Sequence, residues 1–297
     1  MSETLVRWDK IASNLKKKGF VDINPKNILP EINQDNILNA KKVIPFIEKA
    51  LPQVVEMVNT AKEYSFQEYL GFAMVWGLKA LSAGTYGIGA VYVVNHDGEE
   101  WVIAGRNGLR TDRDTSKHAE MDSIDAVESI SRGEESYKDR VILKRKAKDN
   151  EDRTVLFTSL DPCPMCRVRI HNHNIPNVMV GNADPLAGAF IGENKEMMPP
   201  LWNMIMEAQG TKVMLANNNP DDYAYVDPKY LPLIKKMFEL NREDIDHELS
   251  EGGLTGGPKA AALLVNALTN LFGVEKDSST VYFNKSIEAI KKARQKI

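Results

Sequence analysis

The sequence is short of cysteine, of long apolar runs and of net charge, and each shortage excludes something. Only two cysteines occur in 297 residues, three apart in Cys163-Pro164-Met165-Cys166. A secreted disulfide framework has no use for that spacing, so the pair reads as a metal-binding or a dithiol redox element. The apolar stretches around Leu70–Leu78 and Ala260–Val265 are too short or too interrupted to span a bilayer, and the N-terminus carries no signal-peptide core. The expectation is a cytoplasmic protein with no membrane partner. A formal net charge of −3 provides no global field for collecting polyanions, which leaves only a local basic patch as a route to nucleic acid. With 43% hydrophobic and 27% charged residues, the chain can bury a large core as one extended domain or two.

The first sixty or so residues carry a helical apolar pattern from Ile37 to Val55, interrupted by Pro30, Pro45 and Pro52. Ser65-Phe66-Gln67-Glu68 offers a capping box, and the helix it opens, through Trp76, is apolar nearly all round and therefore buried. The period then shortens. Ile88–Val94, the turn Asn95-His96-Asp97-Gly98 and Trp101–Ala104 predict a β-hairpin. Met121, Ile124, Val127 and Ile130 predict an amphipathic helix beginning near Ser116, with His118 and Glu120 in its first turn. Lys144–Arg153 reads as a charged connection, followed by the strand Thr154–Thr158. Asp161-Pro162 reads as an N-cap and first helical residue, so that Cys163 and Cys166 open another helix.

Further along, Val178–Val180 and Thr211–Leu215 read as strands around a helix near Leu201–Ala208, with helices at Pro232–Glu248 and Lys259–Leu271 beyond. The glycine run Gly252–Gly257 lacks a preceding strand and the Lys-Ser/Thr ending of a phosphate loop, and reads as a linker. This alternation predicts one sheet covered by helices on both faces, with the later strands parallel because helices join them.

One imidazole, two thiols and one carboxylate thus stand at two helix starts. Two thiolates and a neutral imidazole are suitable zinc ligands that leave a fourth tetrahedral position for water. Thiols at a helix N-terminus feel the positive end of its dipole, which favours the thiolate. Residues two apart on a helix do not share a side, so His118 and Glu120 serve one centre only if the metal lies off the helix end.

His118-Ala119-Glu120 followed by Pro162-Cys163-Pro164-Met165-Cys166 is the H-x-E, P-C-x-x-C pattern of zinc nucleobase deaminases. The chain resembles the cytidine deaminase-like superfamily, and within it the branch of bacterial tRNA adenosine deaminases and guanine deaminases, over roughly Phe66 to Leu215. The resemblance implies a three-layer α/β/α sandwich with a five-stranded mixed sheet, plus helical N- and C-terminal extensions. The corresponding division is 1–64 for an N-terminal extension, 65–222 for a deaminase domain and 223–297 for a C-terminal extension. It implies His118, Cys163 and Cys166 as zinc ligands, Glu120 as the proton shuttle, and Asn107 of Gly105-Arg106-Asn107 as a contact to substrate base or sugar. It also implies a homodimer. The expected activity is hydrolytic release of ammonia from a free nucleobase, nucleoside or nucleotide by zinc-activated water, with tRNA adenosine-to-inosine editing as the alternative. Asp161 stands where many members have glutamate, and Phe190-Ile191-Gly192 replaces the acidic pair of guanine deaminases, leaving only Glu193 or a C-terminal carboxylate for that role.

Other readings stand beside this one. The Cys-Pro-Met-Cys element also suits a dithiol oxidoreductase. His171 or His173 would close the zinc sphere into a structural site, and such a protein would be a zinc-stabilised scaffold without catalysis. His96 and His247 read as solvated, and Lys144-Arg145-Lys146-Ala147-Lys148, with Arg167 and Arg169, as solvated surface or a polynucleotide guide.

Overall fold

The structure, a computed structural model, describes residues 37–251 apart from 133, 150, 152, 186, 192–207 and 241. The helix expected near Leu201–Ala208 (save its last residue), Glu193, the Gly252–Gly257 linker and the Lys259–Leu271 helix lie outside the described residues. The chain divides into two compact units, 1–242 and 243–297.

In the first unit the elements run α1 (Ala40–Thr60), α2 (Phe66–Ala83), β1 (Gly89–His96), β2 (Glu99–Arg106), α3 (Ala119–Ser131), a 3-10 segment (Glu135–Arg140), β3 (Val141–Lys146), β4 (Arg153–Thr158), α4 (Pro164–Asn172), β5 (Asn177–Val180), β6 (Lys212–Leu215) and α5 (Leu231–Glu239). α6 (Arg242–Glu251) leads into the second unit. The helix expected from Pro232 to Glu248 is thus two helices, broken at Leu240, whose backbone is extended. α1 runs unbroken through Pro45 and Pro52, which the sequence presents as interruptions.

The sheet has six strands in the order β3-β2-β1-β4-β5-β6, which corrects the expectation of five. The additional strand is β3, which in the sequence reads as part of a charged connection. Its apolar half, with Ile142 and Leu143 buried, is followed by Lys144, Arg145 and Lys146, and such a charged run carries no strand periodicity. At a sheet edge these charges are compatible with pairing. Lys146, Arg145 and Lys144 face Glu99, Glu100 and Trp101 across the ladder, so two acid–base pairs stand directly opposite each other.

Alternation along the strands separates two cores. Val91, Val93, Val155, Phe157 and Met179 join α1, α2 and α5 on one face. Ala90, Tyr92, Leu156, Val178 and Val180 join Ala119, Ile124 and Ile170 of α3 and α4 on the other. α2 is buried all round, as expected, because it lies between α1 and the sheet. Its N-terminus departs from a strict capping box: Ser65 Oγ accepts from Glu68 N–H at 3.3 Å, but the Glu68 carboxylate accepts from Tyr64 N–H at 2.8 Å. The hairpin turns on Asp97 (φ 52°) and Gly98 (φ 74°), the two left-handed residues a tight two-residue turn needs. No described helix is long and apolar enough to cross a membrane.

β1 is the hinge of the topology. Both β2 and β4 pair with it antiparallel, so they run in the same direction, and Ala90 faces Gly105 on one side and Thr158 on the other. The two strands therefore finish level, and the chain leaves both to begin α3 and α4 at the same end of the sheet.

Arg145 is inserted between elements instead of facing solvent. Its guanidinium reaches the Glu68 carboxylate at 2.9 and 3.1 Å and Glu100 at 2.7 Å, lies over the Tyr64 ring, and sits beside Tyr69, whose hydroxyl donates to Glu100 at 2.6 Å. Arg145→Ala leaves two buried carboxylates without their cation and should cost about 3–5 kcal/mol of unfolding free energy in urea titrations. Lys144→Ala, which removes a half-exposed pair with Glu99 and a cation–π contact with the Trp101 ring, should cost no more than about 1–2 kcal/mol. Equal losses in the two variants would contradict this reading of the network.

Candidate metal centre

Two local features aim the functional side chains. α3 begins at Ala119, later than the sequence suggests, so His118 is the residue before the helix, with extended backbone (φ −81°, ψ 155°). α4 begins at Pro164 and not at Pro162, which makes Cys163 the residue before that helix, also extended (φ −67°, ψ 169°). The sequence-level difficulty of two residues on different sides of a helix disappears, because His118 precedes the helix and Glu120 lies inside its first turn. The start of α3 is held against the end of β2. Arg106 N–H donates to the buried Asp122 carboxylate at 3.0 Å, and a methyl group on Gly105 would fall 2.2 Å from the Ala119 carbonyl.

His118, Cys163 and Cys166 come together with their ligand atoms all within 4.8 Å of one another. Cys163 Sγ lies 3.6 Å from His118 Nδ1 and 3.7 Å from Cys166 Sγ. A tetrahedral ion with sulfur at about 2.3 Å and nitrogen at about 2.0–2.1 Å requires separations of about 3.8 Å for a sulfur pair and about 3.6 Å for sulfur and nitrogen. The residues fit zinc in type, and both separations measured from Cys163 fit it in spacing.

Electrostatics agree. The hydrogen bond from Cys166, with His118 alongside, draws the Cys163 thiol down to about 4 despite burial. Burial pushes Cys166 well up, with Cys163 and Glu120 adding to the effect. Burial also raises the Glu120 carboxyl against the pull of His118. Burial disfavours the charged His118 imidazole, but the Cys163 hydrogen bond and charge outweigh it and leave the group raised. A pocket with one thiolate and two more buried acids resists further negative charge until a cation stands among them, and a divalent ion meets that need.

Glu120 is buried at the rim of this group. Its Oε2 is 3.5 Å from Cys166 Sγ and its Oε1 is 3.1 Å from the Thr158 hydroxyl, which also lies 3.0 Å from the Leu160 carbonyl. Sequence reasoning passes over Thr158, since a β-branched residue at the end of a buried strand reads as packing.

The other candidates fall away from the metal group. His171 Nδ1 is 2.9 Å from Gln209 Oε1 and His173 Nε2 is 2.6 Å from Glu128 Oε1, and neither belongs to the cluster. His96 is exposed in the hairpin beside Asp97. Arg167 is buried, donating to the Ala189 carbonyl and lying over Phe190, while Arg169 pairs with Asp125 and Glu128. With Arg145 committed to Glu68 and Glu100, three of the basic residues considered for a polynucleotide track have internal partners.

Asn107 is buried just past β2. Its N–H donates to the Ile88 carbonyl, and the next N–H, of Gly108, donates to the Lys117 carbonyl, which places Asn107 beside the approach to His118. Asp161, buried before Cys163, accepts from Phe190 N–H at 3.2 Å and Ile191 N–H at 2.9 Å, and Ala189 N–H donates to the Pro162 carbonyl. The residue that replaces the expected glutamate therefore fastens the 187–191 loop to the cysteine motif.

Residues 67–182 match the family model of the cytidine and deoxycytidylate deaminase zinc-binding region. The chain is 28% identical over 115 residues to tRNA-specific adenosine deaminase 2 of Danio rerio, covering 39% of this chain and 48% of that protein. It thus spans about half the length of that curated relative. A solved structure from studies of A-to-I editing by tRNA:A34 deaminases is 26% identical, with 44% of this chain and 88% of that one covered and a TM-score of 0.34. The guanine deaminase from Nitrosomonas europaea is 14% identical, with 63% and 93% covered and a TM-score of 0.38.

If Asp161 fastens the loop, Asp161→Ala should raise amide hydrogen exchange at Phe190 and Ile191 by about tenfold or more, with little change at Val155–Phe157 in the centre of β4. Unchanged protection at the two loop amides would show that other contacts hold it.

Proposed function

We propose, from the match of residues 67–182 to the zinc-binding region of cytidine and deoxycytidylate deaminases, that the chain is a zinc-dependent hydrolase that deaminates a free nucleobase, nucleoside or nucleotide. One observation carries the reading: an imidazole and two sulfurs lie within 4.8 Å of one another, Cys163 standing from both partners at the separations a tetrahedral zinc requires, with a buried carboxyl adjoining them.

In this reading His118, Cys163 and Cys166 hold the zinc, and no fourth protein ligand joins them among the described residues. Zinc held there would supply Lewis acidity, lowering the pKa of a water molecule toward about 7 and making a nucleophile available at neutral pH. Glu120 carries the protons: its carboxylate takes one from the water and returns it to the ring nitrogen and the departing amine. One water is consumed, the exocyclic C–N bond breaks, a C=O bond forms and ammonia leaves. Thr158 occupies Oε1, and Oε2 lies toward the metal group. Asn107 orients the base from the side of β2.

A free substrate is favoured over RNA because Arg145, Arg167 and Arg169 are engaged internally and the net charge is −3. The match to a tRNA-specific adenosine deaminase supports the second reading, tRNA editing, which requires RNA binding that weakens steeply with salt. The homodimer implied by the family resemblance remains part of the proposal, and light scattering on the purified chain measures it.

Ammonia release from a panel of amino-bearing bases, nucleosides, nucleotides and a tRNA tests the activity. Glu120→Gln should keep about one zinc per chain and lose turnover by about 10²–10⁴-fold. His118→Ala, Cys163→Ser and Cys166→Ser should each lose the metal as well as the activity. Full turnover in Glu120→Gln, or no ammonia from any member of the panel with the wild-type chain, would reject the deaminase assignment.

A further inference from the structure

Asn107 is held by a one-way chain of hydrogen bonds. Its Oδ1 accepts from the Leu109 backbone N–H at 3.2 Å and from the Thr85 hydroxyl at 2.8 Å. A backbone N–H can only donate, so the amide atom facing Leu109 is the oxygen, and the side chain cannot be turned over. The Thr85 proton is fixed by the same logic. Thr85 Oγ1 receives the Arg110 backbone N–H at 3.4 Å, and the hydroxyl directs its own proton to Asn107. Thr85 comes directly after Gly84, whose left-handed φ of 92° ends α2. The Arg110 guanidinium donates to the Gly84 carbonyl at 2.8 Å, tying this helix end to the 107–110 loop. Thr85 and Asn107 are each 1% exposed, so water does not compete for these bonds. With Oδ1 doubly occupied, the side Asn107 can turn to a ligand is its NH2, and Nδ2 donates to no described residue.

We propose that Thr85 is a positioning residue that fixes Asn107 as a hydrogen-bond donor, so that the site takes substrates carrying an acceptor on the edge that Asn107 meets. That acceptor is a carbonyl oxygen or an unprotonated ring nitrogen, and a ring N–H at the same place is refused. The substrate part of the proposal rests on the deaminase reading and on Asn107 facing the base. The orientation part rests only on the bonds around Asn107.

The experiment uses the zinc-loaded full chain and has two arms. In the first, the Asn107 side-chain amide resonances, identified by their loss in Asn107→Ala, are followed by ¹⁵N NMR without ligand. Thr85→Val should shift and broaden them as Oδ1 loses its hydroxyl partner, and Thr85→Ser should restore the wild-type pair. In the second, with whichever base of the panel releases ammonia, Thr85→Val should raise KM about tenfold with kcat within about threefold, and Thr85→Ser should stay near wild type. Asn107→Asp, which puts an oxygen where Nδ2 was, should raise KM by about a further tenfold over Asn107→Ala, because two acceptors then face each other. An Asn107 amide pair unmoved in Thr85→Val overturns the proposal whether or not ammonia is released. Asn107→Asp binding as well as Asn107→Ala overturns the donor polarity. A Thr85-dependent amide pair in a chain that releases no ammonia would support the positioning role and remove the deaminase reading alone.

Discussion

His118, Cys163 and Cys166 can grip one ion because the sheet makes two helices begin at the same place. β2 and β4 flank β1 and run in the same direction, and the pairing of Ala90 with both Gly105 and Thr158 brings their ends level. The segments that leave these two strands therefore start from one edge of the sheet. An extended residue before each helix then turns its side chain off the helix axis, His118 on one side and Cys163 on the other. A one-residue slip in either pairing would invert the faces of a strand and take one helix start away from the other. The apolar alternation that fills both cores is thus what fixes the site, and the metal-binding geometry is a consequence of packing.

Charge supplies the second constraint. The cluster lies at helix N-termini, where the dipole favours anions, yet it is buried, where anions are costly. These tendencies meet differently at each residue: Cys163 is drawn toward the thiolate, while Cys166 and Glu120 are pushed toward their neutral forms. Thr85 and Thr158 make related contacts, one hydroxyl bonding Asn107 Oδ1 and the other Glu120 Oε1.

Much of this is legible in the residues. Helix starts are signalled by local chemistry, so the neighbourhoods of His118 and Cys163 can be read within a few residues, and the β-branched runs announce β1, β4 and β5. The failures have physical causes. β3 escapes notice because Lys144, Arg145 and Lys146 look like solvent-facing charge, and only the facing Glu99 and Glu100, together with Glu68 from α2, reveal why a strand carries them. Proline marks the wrong helical residue at Pro162, since Pro164 two places on serves equally well and Asp161 is occupied with Phe190 and Ile191. Thr85 and Thr158 carry no spacing signal at all. Their partners are 22 and 38 residues away, and a hydroxyl's role depends on which donors and acceptors the fold brings to it.

Zinc K-edge X-ray absorption on the purified, metal-loaded chain measures the central arrangement directly. The expected spectrum has two sulfur scatterers at about 2.3 Å, one imidazole nitrogen at about 2.0–2.1 Å and a single further light atom at a similar distance. A second imidazole in the shell, or a shell without both sulfurs, would contradict the convergence of the two helix starts on one open metal site.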